Sequence, residues 1–227
     1  MFVDMWKELM GDTTYIYETS ESFLNLYVHY KLEEDNAFFD GKVFKFGDGK
    51  DYYYPLVSLD VVCHEIGHAI TRWHGGRMQN RNQQGGVNEA YSDIVGETCD
   101  IHYHKKEDAL IGSDITKGAK AMRSMCNPTS LKTDKSVDHM CKYKDGMDAH
   151  HSSGIYNKAW CILKSTHGWD YAMAFKAFTI ANLLYWRPAM TMHCGACGVE
   201  SAAEDLTYDV ADVTAAFNAV GVSCDKC

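Results

Sequence analysis

YYPLVSLDVVCHEIGHAIT, residues 53–71, holds His64-Glu65-Ile66-Gly67-His68 within a run that scans as helix. Four residues turn a helix through about 400°, so both imidazoles leave one face about one turn apart, where their nitrogens can reach a single Zn²⁺. Glu65 flanks that face, placed to take a proton from water without being a ligand itself. Alone the motif is weak, because three fixed residues also arise by chance as two surface histidines and a solvated acid. A third ligand strengthens it. Catalytic zinc keeps three protein ligands and an open position, and Asn88-Glu89-Ala90-Tyr91-Ser92-Asp93 begins the next helical run. Glu89 supplies the carboxylate, and Asp93, four positions on along the same face, is placed to accept an N–H from a ligand imidazole. The plainer alternative is that both acids only favour a helix N-terminus electrostatically.

The chain has 227 residues, with 22 Lys+Arg against 31 Asp+Glu and a formal charge of −9. No stretch concentrates basic side chains, which excludes binding to nucleic acid through counterion release. A hydrophobic fraction of 46% and a charged fraction of 23% are those of a globular chain, long enough for one large core or two lobes sharing a cleft. At the start, MFVDMWKELMGD places Asp4, Lys7 and Glu8 where a secretory leader needs an unbroken apolar run. The most apolar stretch, 172–186, is too short to span a membrane and includes Lys176. Nine cysteines are many for a reducing compartment and leave at least one thiol unpaired. The expectation is a secreted protein, seen as a mature or trimmed form.

Residues 13–54 carry short runs of Tyr, Phe, Val and Thr (TTYIY, FLNLYVHY, KVFKF, DYYY) broken by Gly-Asp and Glu-Asp-Asn clusters, the composition of strands and turns. Beyond Ser58 the spacing becomes helical, predicting helices near 60–73, 88–104, 151–165, 170–186 and 209–220. The class is α+β: a β-rich lobe over 1–58, a central zinc-binding helix over 59–73 and a helical lobe over 74–227.

The wider pattern resembles the thermolysin-like zinc metallopeptidases, bacterial elastases most of all. The likeness is carried by DNAFFDG (35–41), FGDG (46–49), the 53–71 stretch, GGVNEAYSDIVGE (85–97), LIGSDITKG (110–118), MRSM (122–125), DAHHSSGIYNKA (148–159), GWD (168–170), GACGV (195–199) and ADVTAAFNAVGV (211–222). It implies two lobes, with the metal helix at the floor of the cleft between them. It implies His64, His68 and Glu89 as zinc ligands, Glu65 as the residue activating water and Asp93 as the acid behind a ligand imidazole. His150 matches the imidazole that stabilises the tetrahedral oxyanion, oriented by Asp145 or Asp148, and Arg123 matches the residue holding a substrate carbonyl. Asn36 and Ala37 match an edge segment that pairs with an extended peptide. Leu56, Val61, Ile111, Ile115 and Met122 match a pocket for a bulky apolar residue just after the scissile bond. Asp60, Glu97, Asp100 and Asp108, with the Leu110 carbonyl, match a Ca²⁺ site.

The chain departs from that pattern in two places. The family's tyrosine near the zinc, a second oxyanion donor, is missing: its position falls at Met78 or Gln79, in a loop one residue longer than the family's. Losing such a donor costs about 10²–10³ in rate, so turnover is expected to be reduced unless Gln79, Asn80 or a neighbour substitutes. The lobe before His64 is short, with 63 residues where the family has over twice as many.

Cys194-x-x-Cys197 and Cys224-x-x-Cys227 are open to a Cys₄ zinc reading, although the 26 residues between the pairs exceed the usual ribbon spacing. The resemblance instead implies a Cys197–Cys224 disulfide, which leaves Cys194 and Cys227 open to pair beside it. Cys126–Cys141 is expected to close another loop. Cys63, Cys99 and Cys161 fall in helices, as buried thiols or, for the first two, as a bridge between the metal helices. The resulting expectation is a monomeric, secreted zinc endopeptidase acting on peptides and proteins, with one Zn²⁺ and at least one Ca²⁺. A metallopeptidase-like binding or regulatory protein is the main rival. An aminopeptidase would need acidic anchors for a free amino terminus, and no motif supplies them.

Overall fold

The computed structural model describes residues 1–17 and 23–227, so the part of the strand-rich reading that falls on 18–22 lies outside the described residues. The chain begins with a helix the sequence reading does not assign, α1 (Phe2–Met10), whose Phe2, Met5 and Trp6 are buried; Trp6 meets Phe175 edge-on at 5.9 Å. Strand content is small. β1 (Leu26–Tyr27), β2 (Ala37–Phe39) and β3 (Phe44–Phe46) form one sheet in the order β1-β3-β2, with β1 parallel and β2 antiparallel to β3. TTYIY is a turn rather than a strand, and DYYY contributes only an isolated bridge from Tyr53 to Thr116.

Two long helices form the centre: α2 (Leu59–Trp73) and α3 (Asn82–His104). They approach closely because each offers a glycine where a side chain would collide. A Cβ on Gly67 would lie 2.8 Å from Ser92 Cα, and one on Gly96 would lie 2.6 Å from the Asp60 carbonyl. The Cys63–Cys99 disulfide links the same two helices. Every residue of α3 from Gln84 to Ile101 is buried, so the helix carries no polar stripe for periodicity to reveal. It begins six residues before the expected 88. Gly85 and Gly86 look like a link in sequence but lie inside the helix, since a Cβ on Gly86 would strike Ser152 and Met192. Close packing outweighs the weak helix propensity of glycine there.

A two-stranded ladder follows, β4 (Leu110–Ile111) against β5 (Arg123–Ser124). The remaining helices are α4 (Ala149–Ser152), α5 (Gly154–Lys164), α6 (Tyr171–Ile180), α7 (Met192–Asp205) and α8 (Val210–Asn218), with a wider π-type turn over Ala181–Tyr185 continuing α6. The sequence reading misses α7 because its Cys-Gly-Ala-Cys-Gly run suggests turns. In the fold Gly195 faces the Tyr156 hydroxyl and Gly198 the Trp186 ring, at 2.5 and 2.8 Å from a notional Cβ. Among the described residues no helix is long and apolar enough to cross a membrane.

Four disulfides form: Cys63–Cys99, Cys126–Cys161, Cys194–Cys227 and Cys197–Cys224. The expected Cys126–Cys141 pairing is incorrect. Cys126 lies just beyond β5 against α5, whose buried face presents Cys161, while Cys141 is free and exposed on a short turn. The Cys₄ zinc reading also fails, because all four of those thiols are consumed in disulfides.

Candidate active site

α2 and α3 together assemble a three-residue ligand set. His64, His68 and Glu89 place one candidate ligand atom each within 4.8 Å of one another, the only such His/Cys/Asp/Glu group among the described residues. Glu89 is fully buried; its Oε2 lies 3.4 Å from His64 Nε2 and 3.3 Å from His150 Nε2, yet has no hydrogen-bond partner. An orphaned carboxylate oxygen between imidazoles fits a cation, and two nitrogens with one oxygen are the donor set that suits zinc.

Asp93 lies behind His64 and organises it. Its carboxylate accepts from His64 Nδ1 at 2.9 Å, from Arg123 Nε and Nη2 at 2.9 and 2.6 Å, and from Asn157 Nδ2 at 2.8 Å. Burial alone would raise the Asp93 carboxyl, but Arg123 and His64 hold it well below the usual carboxylate range. Burial likewise opposes charge on His64, yet Asp93 and Glu89 push its pKa up to about 10. The same negative charge favours a cation at this place. His68 Nδ1 faces Asn88 Oδ1 at 3.4 Å. Asn88 and Asn157 carry no chemical motif, and the sequence reading overlooks both.

Two adjoining hollows of about 310 and 410 Å³ open over this floor and share Asn36, Ala37, His64, Glu65 and His150. Glu65 reaches both hollows, and His150 faces it from α4. Of the two acids considered as partners for His150, the structure selects Asp148, whose Oδ1 meets His150 Nδ1 at 3.0 Å and also caps the α4 backbone. β2 pairs only with β3, so its other edge is unpaired among the described residues where Asn36 and Ala37 line the hollows. Leu56, Val61, Ile111 and Met122 line the smaller hollow beside Arg123; Ile115 is buried but does not line it.

Asp35 opens the DNAFFDG stretch with no role assigned from sequence, yet it fixes one wall of the cleft. Its two oxygens accept the backbone N–H groups of Lys50, Asp51, Tyr52 and Tyr53 at 2.6–3.1 Å. Tyr53 and Tyr54 in turn pair with Thr116 and Ile115, so this carboxylate ties the segment leading into β2 to the far side of the cleft. Asp35→Ala is expected to cost about 1–2 kcal/mol in urea unfolding, because water re-satisfies part of the loss, and to raise KM for peptides more than it lowers kcat.

The acids expected at a second metal lie around the start of α2 and the middle of α3 and turn largely to backbone donors. Asp60 Oδ2 accepts from Gly112 N at 2.5 Å, Glu97 Oε1 from Ala109 N at 3.0 Å, and Asp108 Oδ1 from Leu110 N at 3.1 Å. Asp100 meets His104 at 3.1 Å, and Lys106 lies 3.6 Å from Asp108. Glu97 Oε2 is buried without a partner. In the stretch matching the absent tyrosine, Met78 is buried and Gln79 exposed, and the amide that reaches the ligand set belongs to Asn80.

A helical floor offering two histidines and a glutamate, overhung by a sheet edge, is the scaffold of a metallopeptidase. Family descriptions agree along nearly the whole chain: "Thermolysin metallopeptidase, catalytic domain" matches residues 1–72, and "Thermolysin metallopeptidase, alpha-helical domain" matches 77–222. The chain belongs to the thermolysin metallopeptidase family. It is 40% identical over 220 residues to the hemagglutinin/proteinase of Vibrio cholerae, covering 97% of this chain and 35% of that protein. It is 33% identical over 241 residues to bacillolysin of Bacillus caldolyticus, covering 96% of this chain and 43% of the other. The structure is similar to the precursor of protealysin, a metalloproteinase from Serratia proteamaculans, with a TM-score of 0.86 at 25% identity, covering 98% of this chain and 75% of that one. The chain thus spans about a third of the length of the Vibrio relative.

Proposed function

We propose that the protein is a secreted zinc endopeptidase that cleaves peptides with a bulky apolar residue just after the scissile bond. The observation carrying this reading is the partnerless Glu89 oxygen facing His64 beneath an open cleft reached by both Glu65 and His150. Held by His64, His68 and Glu89, zinc would supply a Lewis acid to polarise the scissile carbonyl and the attacking water. Glu65 takes the proton that water loses as its oxygen bonds to the carbonyl carbon, and passes it to the amine nitrogen as the C–N bond breaks. His150, oriented by Asp148, donates an N–H to the developing oxyanion. Arg123 gives two of its three nitrogens to Asp93, which holds the third toward the cleft for a substrate carbonyl. The free edge at Asn36 and Ala37 offers backbone pairing to an extended substrate, and the apolar lining of the smaller hollow selects the residue after the cut. An internally quenched peptide blocked at both ends tests this. Cleavage abolished by a chelator and restored by zinc is expected; cleavage only of unblocked peptides would indicate an aminopeptidase. Silence with zinc bound would favour a binding protein.

We also infer a structural Ca²⁺ among Asp60, Glu97, Asp100, Asp108 and the Leu110 carbonyl, supported by the unpartnered oxygen of buried Glu97. Without the ion, burial pushes the Glu97 carboxyl up to about 8. A folded state that keeps this proton while the unfolded chain releases it loses stability as pH rises from the ordinary glutamate range through about 8. A calcium ion held by these oxygens would remove that penalty by favouring the ionised Glu97 carboxylate. The rise in melting temperature on adding calcium is therefore expected to be larger at pH 8 than at pH 6 in a thermal scan; an equal rise at both would count against the assignment.

A further inference from the structure

We propose that Asn80 is a positioning residue for the metal centre, its carboxamide holding one oxygen of Glu89 so that the other stays free for the ion. The proposal rests on reading His64, His68 and Glu89 as zinc ligands. Asn80 Nδ2 lies 2.5 Å from Glu89 Oε1, while Glu89 Oε2 has no hydrogen-bond partner and faces His64 and His150. A carboxylate can only accept, so the amide must present N–H to it. The two oxygens are thereby made unequal before any ion arrives.

The chemistry of the donor matters. A lysine or arginine at this place would neutralise Glu89 and repel a dication, whereas a neutral amide adds a charge-assisted hydrogen bond and leaves the full negative charge available. Glu89 is fully buried, and besides the amide its Oε1 faces only His68 Nε2, at 3.5 Å, itself a candidate ligand to the ion. The backbone is shaped to bring the amide there. Arg77 and Asn82 adopt positive φ of 48° and 53° on either side of the segment, and Gln84 Oε1 accepts the Gln79 N–H at 3.2 Å. A Cβ on Gly85 would lie 2.9 Å from the Asn80 carbonyl carbon, so a bare glycine lets this loop lie against α3.

Without the amide, Glu89 is free to rotate and offer both oxygens to the metal. Zinc affinity of the full chain, read by chelator competition, is expected to fall about 10–100-fold in both Asn80→Ala and the near-isosteric Asn80→Leu. The visible absorption of the Co²⁺-loaded protein, which follows coordination number, is expected to change in both variants, while the melting temperature of metal-free protein stays put. A role confined to folding would move that melting temperature and leave the cobalt spectrum alone. Glu89→Ala separates the two layers of the argument. If it loses zinc while both Asn80 variants bind as wild type with an unaltered cobalt spectrum, the proposal is overturned and the site reading stands. If Glu89→Ala itself binds zinc as wild type, both fall.

Discussion

Glu65→Gln is expected to retain zinc at the wild-type level and to lower kcat about 10²–10⁴-fold, with KM little altered. The amide keeps the shape of the side chain but cannot accept the proton that water must lose or return it to the leaving amine. Glu65 is no member of the ligand set formed by His64, His68 and Glu89, so the metal has no reason to leave. Elemental analysis beside single-turnover kinetics reads both quantities. Hydrolysis that survives the change at its original rate would assign the base to another group, and zinc lost with the activity would make Glu65 a structural element of the site.

The second large effect belongs to Asp93, which touches neither cleft nor substrate. Asp93→Ala removes the acceptor of four hydrogen bonds from His64, Arg123 and Asn157 and leaves the partly buried Arg123 guanidinium without the carboxylate it is paired with. Breaking a buried pair from one side costs about 3–5 kcal/mol. Zinc affinity is expected to fall about 10–100-fold besides, because nothing then fixes the orientation of the His64 ring. Urea unfolding of metal-free and zinc-loaded protein separates the two losses. Unfolding midpoints matching wild type in both forms would show that Arg123 finds another partner.

The grouping of His64, His68 and Glu89 is legible in sequence because its spacing is mechanical: i, i+4 on one helix, and a glutamate opening the next helical run. What supports that set is less visible. Asp35, Asn80, Asn88 and Asn157 act through contacts that depend on where distant backbone comes to rest, and an isolated aspartate or asparagine in sequence looks the same in a turn as beside a metal. The same holds for α7 and the first turns of α3, where glycines that read as links are demanded by a tyrosine, a tryptophan ring or a neighbouring helix. The cysteines divide similarly. Cys197–Cys224 follows from the family likeness and leaves Cys194 and Cys227 side by side, whereas Cys126–Cys161 depends on where the segment just after β5 comes to rest on α5. Strand content is overestimated because exposed aromatic runs such as DYYY favour extended backbone without finding a neighbouring strand.

The cross-link between Cys63 and Cys99, together with the side-chain-free approach of α2 and α3 at Gly67 and Gly96, has a mechanical consequence. All three candidate ligands ride on one welded unit, and α4 with His150 packs onto it through Gly86 and Ser152. If the cleft changes width, that change falls to the thin sheet and its tyrosine-rich loop, which carry no such cross-link to α2 and α3. Substrate entry and product escape can be tuned on that side without loosening the seat of the metal.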